Sequence, residues 1–95
     1  MGATRDDISR WFDQGHADGA THMIVVCDTY DHEDYPVYVM PGTDLRKTFD
    51  LNNGPNMTRA MECYALWKPK DPQMGQYRVM DFEAKPLTPQ ADREE

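Results

Sequence analysis

Nine consecutive residues, 27–35, concentrate the side chains of this chain that could bind a metal or transfer a proton. They read CDTYDHEDY and contain four acids, one histidine, one thiol and two tyrosines. A calcium loop needs alternating oxygen ligands around a sharp glycine turn, and this stretch contains no glycine. A zinc site needs closely spaced Cys or His pairs, a spacing that His16, His22, His32 and the two cysteines do not show. We therefore expect no metal site here.

The same stretch gives little support to acid–base or nucleophilic catalysis. Exposed carboxylates on a turn repel one another and stay solvated, whereas a general acid needs a carboxyl whose pKa is shifted by burial. Cys27 could pair with His22 or His32, but it belongs to an apolar strand run, where thiols are typically inert. The chain has no phosphate loop, dinucleotide fingerprint or nucleophile elbow. We expect no catalytic residues and no cofactor.

The stretch is typical of the polar turn of a β-hairpin, and it could also be a contact surface for a basic partner. The residues expected to form that contact are Asp28, Asp31, His32, Glu33 and Asp34.

Two predicted helix starts are more suggestive of ligand binding. The segments PGTDLRK and GPNMTR each place a capping residue and a guanidinium beside free backbone N–H groups, which together favour a phosphate. Trp67, Tyr77 and Tyr38 could stack on a base, although rings at these spacings are more typical of a core or an interface. The predicted ligand-binding residues are Thr43, Arg46, Lys47, Asn56, Thr58, Arg59, Trp67 and Tyr77. In the alternative interpretation, Thr43 and Asn56 only cap their helices and the arginines lie in solvent.

The elements that must position these residues can be predicted from spacing. Thr4 with Asp7 predicts a helix from near Arg5, whose apolar residues Ile8 and Phe12 recur at helical intervals. Residues 21–28 are rich in β-branched side chains and predict a strand that is covered on both faces or lies in mid-sheet. Residues 35–40 predict a second strand after a loop of about six residues, and the proline near its start places it at an edge.

The second half of the chain predicts two helices and a strand. Thr43 caps a short helix that stops at Gly54, Asn56 caps a third helix, and the prolines of KPKDP end it. Residues 76–83 alternate as a third strand, with Arg78, Met80 and Phe82 on one face. The expected fold is an α+β domain of order α-β-β-α-α-β, with a three-stranded, mainly antiparallel sheet, the first strand central and the helices on one side. Residues 1–84 form that single domain, and residues 85–95 form a disordered tail.

Composition limits the classes of partner. The chain has 95 residues, a formal net charge of −7 and a pI near 4.7, which disfavours general binding to nucleic acid or to an anionic membrane. The apolar runs are far too short to span a bilayer. Cys27 and Cys63 lie in regions that favour burial, so we expect both to be reduced and the protein to be cytoplasmic.

Three stretches, WFDQGHADGATHMIVVCDTYDHEDYPVYV, NMTRAMECY and YRVMDFE, resemble a family of short proteins from actinobacteria and their phages that has no assigned activity. The resemblance covers the chain apart from its first residues and its tail. It implies a small freestanding protein, plausibly encoded by a phage. Pro55 stands where the family pattern has lysine, which lowers the positive charge beside the expected anion site.

These observations lead to three hypotheses of function. The first is a non-catalytic homo-oligomer that sequesters a phosphate-bearing nucleotide, such as an immune signal of the host. The second is an acidic inhibitor or adaptor that binds a basic surface of a host protein through residues 28–34. The third is a small nucleotide hydrolase.

Overall fold

The computed structural model describes residues 2–70 and 78–86, and its first element is the helix that the sequence predicts. Helix α1 spans Arg5–Ala17. The Thr4 hydroxyl accepts from the Asp7 backbone N–H, and the Asp7 carboxylate accepts from the Thr4 N–H, so the capping box is formed. Ile8, Phe12 and Gly15 are its buried residues.

Three antiparallel strands form the sheet, in the order β2-β1-β3. Strand β1 is His22–Asp28, β2 is Glu33–Val39 and β3 is Thr58–Ala65. The α+β class, the central first strand and the edge position of the proline-containing second strand are confirmed. The hairpin loop is shorter than expected, because β2 begins at Glu33 and leaves only residues 29–32 between the strands.

The predicted third helix is wrong, because the segment that begins at Thr58 is strand β3. Asn56 and Met57 adopt positive φ angles of 55° and 61°, which turn the chain out of a short 3₁₀ segment and into the sheet. A β-bulge opposite Val25 and Val26 then breaks the two-residue alternation of β3. Because of the bulge, the apolar residues of β3 recur at helical intervals along the sequence, which is why this segment predicts a helix.

The predicted third strand at residues 76–83 lies beside β3 without forming a full strand. Met80 makes a single parallel bridge to Cys63, whose N–H donates to Val79 O (2.8 Å) and whose carbonyl accepts from the Asp81 N–H (2.9 Å). Met80 is half exposed, whereas Phe82 packs against the sheet. Residues 76 and 77 of this prediction, and residues 87–95 of the predicted tail, lie outside the described residues. We call residues 78–86 the strap.

Helices cover both faces of the sheet, which corrects the expectation that they pack on one side. On the α1 face, Ile8 and Phe12 pack with Met23, Val25 and Tyr64. Helix α2, Leu45–Leu51, lies on the opposite face. There its buried Phe49 packs with Ile24, Val26, Val39 and Cys63. Strand β1 therefore alternates between two cores, which accounts for its unbroken apolar run.

The helices in the described parts of the chain include none that combines the length and apolar character needed to cross a membrane.

Candidate functional site

A cleft of about 590 Å³ opens on the α2 face, within the range typical of small-molecule sites. One wall is the loop between β2 and α2, the other is the end of the strap, and the floor is the start of β1. Its lining is mainly apolar, with a few charged and hydroxyl groups. The lining residues are Thr21, His22, Met40, Pro41, Gly42, Thr43, Asp44, Leu45, Arg46, Phe82, Ala84, Lys85 and Pro86.

The loop wall is shaped by a tight turn after β2. The Thr43 N–H donates to Met40 O (3.0 Å), and Gly42 adopts a φ of 89°, which a side chain would strain. Asp44 then caps α2, its Oδ1 accepting from the Lys47 N–H at 3.0 Å. The prediction of Thr43 as the cap is therefore wrong by one residue. The turn directs Thr43 and Arg46 to the same side of the cleft.

The strap wall is fastened to the sheet at several points. The Lys68 ammonium donates to the carboxylates of Asp81 (2.6 Å) and Glu83 (2.7 Å). Phe82 packs edge to face on Phe49, with ring centroids 5.0 Å apart. His22 Nε2 lies 2.8 Å from the carbonyl oxygen of Glu83. The strap is thus a fixed wall, which makes the cleft a preformed site.

Two cations stand at the cleft without an acidic partner. The Arg46 guanidinium lies over the Phe82 ring, 4.4 Å from its centroid, and Lys85 lies on the strap. Within residues 2–70 and 78–86, neither side chain forms an ion pair. Asp44 is the acid in the lining, and one of its oxygens is engaged in the helix cap. The local charge of the cleft therefore favours an anion, although the whole chain is acidic.

The N-terminus of α2 is capped by an acid. The Lys47 N–H donates to the Asp44 carboxylate, and the Thr48 N–H makes the first hydrogen bond within the helix, to the Asp44 carbonyl (3.0 Å). The cap also places a negative charge where a phosphate would otherwise sit. The charged cap therefore disfavours an anion at these amides, which leaves the side-chain cations of the cleft as the groups that favour one.

The structure brings together only part of the predicted ligand site. Thr43 and Arg46 line the cleft, whereas Lys47 is exposed on α2 and does not. Asn56, Thr58 and Arg59 lie at the other end of the sheet, where Thr58 is opposite Asp28 and Arg59 is opposite Cys27. Strand β1 separates the two ends by about 20 Å at the usual rise per residue. The two predicted helix starts therefore cannot share one ligand.

Trp67, one of the two predicted aromatic ligand residues, does not line the cleft. Trp67 follows β3, and its buried Nε1 has no hydrogen-bond partner among the described residues. The Lys68 ammonium lies 5.2 Å from its ring centroid. Tyr77 lies outside the described residues.

The carboxylates of the acidic turn accept hydrogen bonds from backbone N–H groups. Asp28 accepts from Tyr30 N (2.8 Å), Asp31 accepts from Glu33 N (3.1 Å), and Asp34 accepts from Ala3 N (2.8 Å). Over the described ranges, no group of three or more His, Cys, Asp or Glu side chains could hold a metal ion. His32 adopts a positive φ of 62° at the tip. The geometry is that of a hairpin turn with an ordered acidic surface.

Both cysteines are free thiols with raised pKa values. Burial, followed by the charge of Asp81, raises the pKa of Cys63 to about 12. Burial and then the neighbouring Asp34 raise the pKa of Cys27, which is half-buried rather than fully buried. Neither thiol is activated as a nucleophile.

Sequence reasoning missed three residues of the cleft. His22 is 3% exposed, and a histidine in an otherwise apolar strand run was the available signal for it. Phe82 was expected in a regular strand, and Lys85 was assigned to the tail. Their position depends on the strap, which local sequence does not reveal.

Comparisons with protein families, with curated proteins and with solved structures found no match to this chain.

Proposed function

We propose that this protein binds a small phosphate-bearing ligand, such as a nucleotide, in the cleft of the α2 face and does not transform it. The observation that carries the proposal is the pair of cations, Arg46 and Lys85, that lies at an apolar cleft and forms no ion pair with any residue that the structure describes. The Arg46 guanidinium lies over the Phe82 ring, and a charge-assisted hydrogen bond to phosphate is roughly twice as strong as one between neutral groups.

The rest of the cleft suits the organic part of such a ligand. Pro41, Leu45 and Phe82 offer apolar surface for a base, and the Thr43 hydroxyl can accept or donate. The buried His22 already has both ring nitrogens in hydrogen bonds to Thr21 and Glu83. It is therefore held as a structural group and is not presented as a general base, which favours binding over catalysis.

Sequestration in the cytoplasm by a homo-oligomer, and removal of a host signal by a phage protein, remain part of this proposal. The cleft is open on one side in a single chain, so a second copy could enclose the ligand. Native mass spectrometry with and without the ligand tests this part. A ligand-bearing oligomer supports it, and a ligand-bearing monomer contradicts it.

The binding proposal is tested by calorimetry with cyclic AMP, with adenosine as the uncharged control. We expect cyclic AMP to bind more tightly than adenosine. Arg46→Met and Lys85→Met should each weaken cyclic AMP binding about tenfold, the worth of one charge-assisted hydrogen bond. Lys47→Met is the matched control, since it removes the adjacent cation outside the cleft and should leave affinity unchanged. Equal losses in all three variants, or equal binding of adenosine, would contradict the proposal.

A second function, an acidic adaptor that binds a basic protein surface, is favoured by the exposure of apolar side chains at the turn. Tyr30 is 77% exposed and Met57 is 57% exposed. The two segments are joined, because the Thr29 N–H and hydroxyl both donate to Met57 O. Exposed tyrosine and methionine beside acids suit a basic and partly apolar partner.

Photo-crosslinking at position 30 in host cells tests the adaptor function, with position 51, where Leu51 is 59% exposed, as the exposed apolar control. A partner captured only at position 30, and lost in an Asp31→Asn, Glu33→Gln variant, supports this function. Equal capture at both positions would contradict it.

A further inference from the structure

The Arg46 guanidinium lies against two aromatic rings that belong to different elements. Its carbon Cζ lies 4.4 Å from the ring centroid of Phe82 on the strap and 5.7 Å from that of Phe49. Arg46 and Phe49 are three residues apart on α2, a spacing that places both side chains on one face of a helix. The helix therefore supplies the cation, and the strap supplies the ring closest to it.

The Phe82 ring is itself held in place. It meets the Phe49 ring edge to face, with centroids 5.0 Å apart and ring planes at 82°. Phe49 is 8% exposed and belongs to the core of the α2 face. The residues on either side of Phe82, Asp81 and Glu83, are both paired with Lys68. Phe82 is thus fixed by the core beneath it and by the ion pairs beside it.

The contact with a ring leaves the hydrogen-bond donors of Arg46 available. A guanidinium carries its N–H donors in one plane as a rigid fork, and the face of an aromatic ring attracts the cation without accepting those donors in full. Arg46 forms no hydrogen bond or ion pair with any residue in 2–70 or 78–86. Because Arg46 lines the cleft, its fork can bind two oxygens of one oxyanion there.

We propose that Phe82 is a positioning residue for ligand binding: it holds Arg46 at the cleft so that the guanidinium fork binds two oxygens of one phosphate group. A long side chain that is held before binding loses less conformational freedom when the ligand arrives. The ligand class is thereby narrowed to compounds with two unesterified oxygens on one phosphorus. This inference rests on the proposed function and adds how the site selects its ligand.

The ratio of the affinities for cyclic AMP and adenosine isolates the contribution of the phosphate, because a contact between the base and Phe82 would act on both compounds. Phe82→Leu should lower this ratio about two- to tenfold, the cost of immobilising one long side chain on binding. Phe82→Tyr keeps the ring and should restore the ratio. Val79→Ala is the control, since it removes packing of the strap outside the cleft lining and should leave the ratio unchanged.

A double-mutant cycle separates positioning from a purely structural role of the ring. In the Arg46→Met background, Phe82→Leu should change the ratio by less than about twofold, because no guanidinium is left to hold. Arg46→Lys keeps the charge but lacks the fork, so its ratio should fall about threefold or more.

The inference makes a distinct claim at each position. A wild-type ratio in Phe82→Leu or Arg46→Lys, an equal fall in Phe82→Tyr or Val79→Ala, or an equal effect of Phe82→Leu in the Arg46→Met background would overturn it and leave the proposed function standing. Equal binding of cyclic AMP and adenosine by the wild type would overturn both.

Discussion

The two faces of the sheet are covered in different ways, and the difference explains where a ligand can enter. On the α1 face, a helix of 13 residues buries Ile8 and Phe12 completely, and Phe12 packs edge to face on Tyr64. On the α2 face, a helix of 7 residues buries only Phe49, and the strap covers part of the remaining sheet. The cleft lies between the loop that leads into the short helix and the end of the strap.

The charged side chains of the two faces also differ in whether they have partners. On the α1 face, the buried Glu62 carboxylate accepts from Arg5 (2.7 Å) and from the Tyr64 hydroxyl. The hydrogen bond to Glu62 raises the pKa of Arg5, and burial raises that of Tyr64. On the α2 face, Arg46 and Lys85 have no such partners in the described chain. Arg46 and Lys85 are therefore the charged groups that we propose a ligand satisfies, whereas Lys68 on the same face is already paired with Asp81 and Glu83.

The largest expected effect is on the closed face. Phe12→Ala should lower the free energy of unfolding by about 3–5 kcal/mol, because it removes a fully buried ring. Phe49→Ala on the α2 face should cost less, since this ring is 8% exposed and packs under a shorter helix. Urea denaturation of both variants measures the difference. An equal or larger loss of unfolding free energy in Phe49→Ala would contradict the claim that the α1 face is the more closely packed one.

The buried ion pair gives the next effect. Glu62→Gln should lower stability by about 2 kcal/mol, less than for a fully buried pair because the Arg5 side chain is 39% exposed. Asp13→Asn is the control, since its ion pair with Lys70 is exposed. The denaturant midpoints of the two variants measure the difference in stability. A Glu62→Gln variant as stable as the wild type would contradict a closed α1 face.

Close packing beneath α1 can be tested with one methyl group. A Cβ at Gly15 would lie 2.5 Å from Tyr38 Cε1 and 2.7 Å from Leu66 Cδ1. Gly15→Ala should therefore cost about 1–3 kcal/mol despite the better helix propensity of alanine. His16→Ala on the exposed side should be close to neutral. Thermal unfolding of the pair measures this, and a stabilised Gly15→Ala would exclude tight packing there.

The smallest effect concerns the fastening of the strap. Burial opposes ionisation of Asp81, but hydrogen bonds from Lys68 and Glu83 N and the charge of Lys68 together lower its pKa. A carboxylate whose pKa is lower in the folded state stabilises the fold at pH values above its unfolded-state pKa. That stabilisation is lost as the pH falls through its folded-state pKa. Asp81→Asn should thus destabilise at neutral pH, and the difference should begin to shrink near about pH 4 and vanish only below the lowered folded-state pKa. A difference that persists in acid would exclude the ion pair as its cause.

Local signals predicted part of this fold well. The Thr4–Asp7 capping box and the β-branched run of β1 each contain enough information to define an element and its boundary within a residue. Strand β3 could not be recognised, because a bulge at its centre gives apolar residues a helical spacing and only pairing with β1 reveals it. Thr43 and Asp44 are adjacent, and both residue types are preferred at helix N-caps. The sequence alone therefore does not show that Asp44 is the cap of α2.

The candidate site was predictable only in its loop wall. Thr43 and Arg46 were found because turn and cap chemistry is local. His22 and Lys85 meet them through the strap, which runs from beside β3 to the cleft and depends on contacts distant in sequence. The expected grouping of Arg46 with Arg59 failed for the same reason.

An amide NMR titration of the protein with cyclic AMP tests most directly whether a ligand binds in the cleft of the α2 face. We predict that shift changes concentrate at Gly42, Thr43, Arg46, Ala84 and Lys85, with residues 28–34 and the α1 face unaffected. Changes centred on residues 28–34, or no changes at millimolar ligand, would contradict the claim that the open face of the sheet is the binding site.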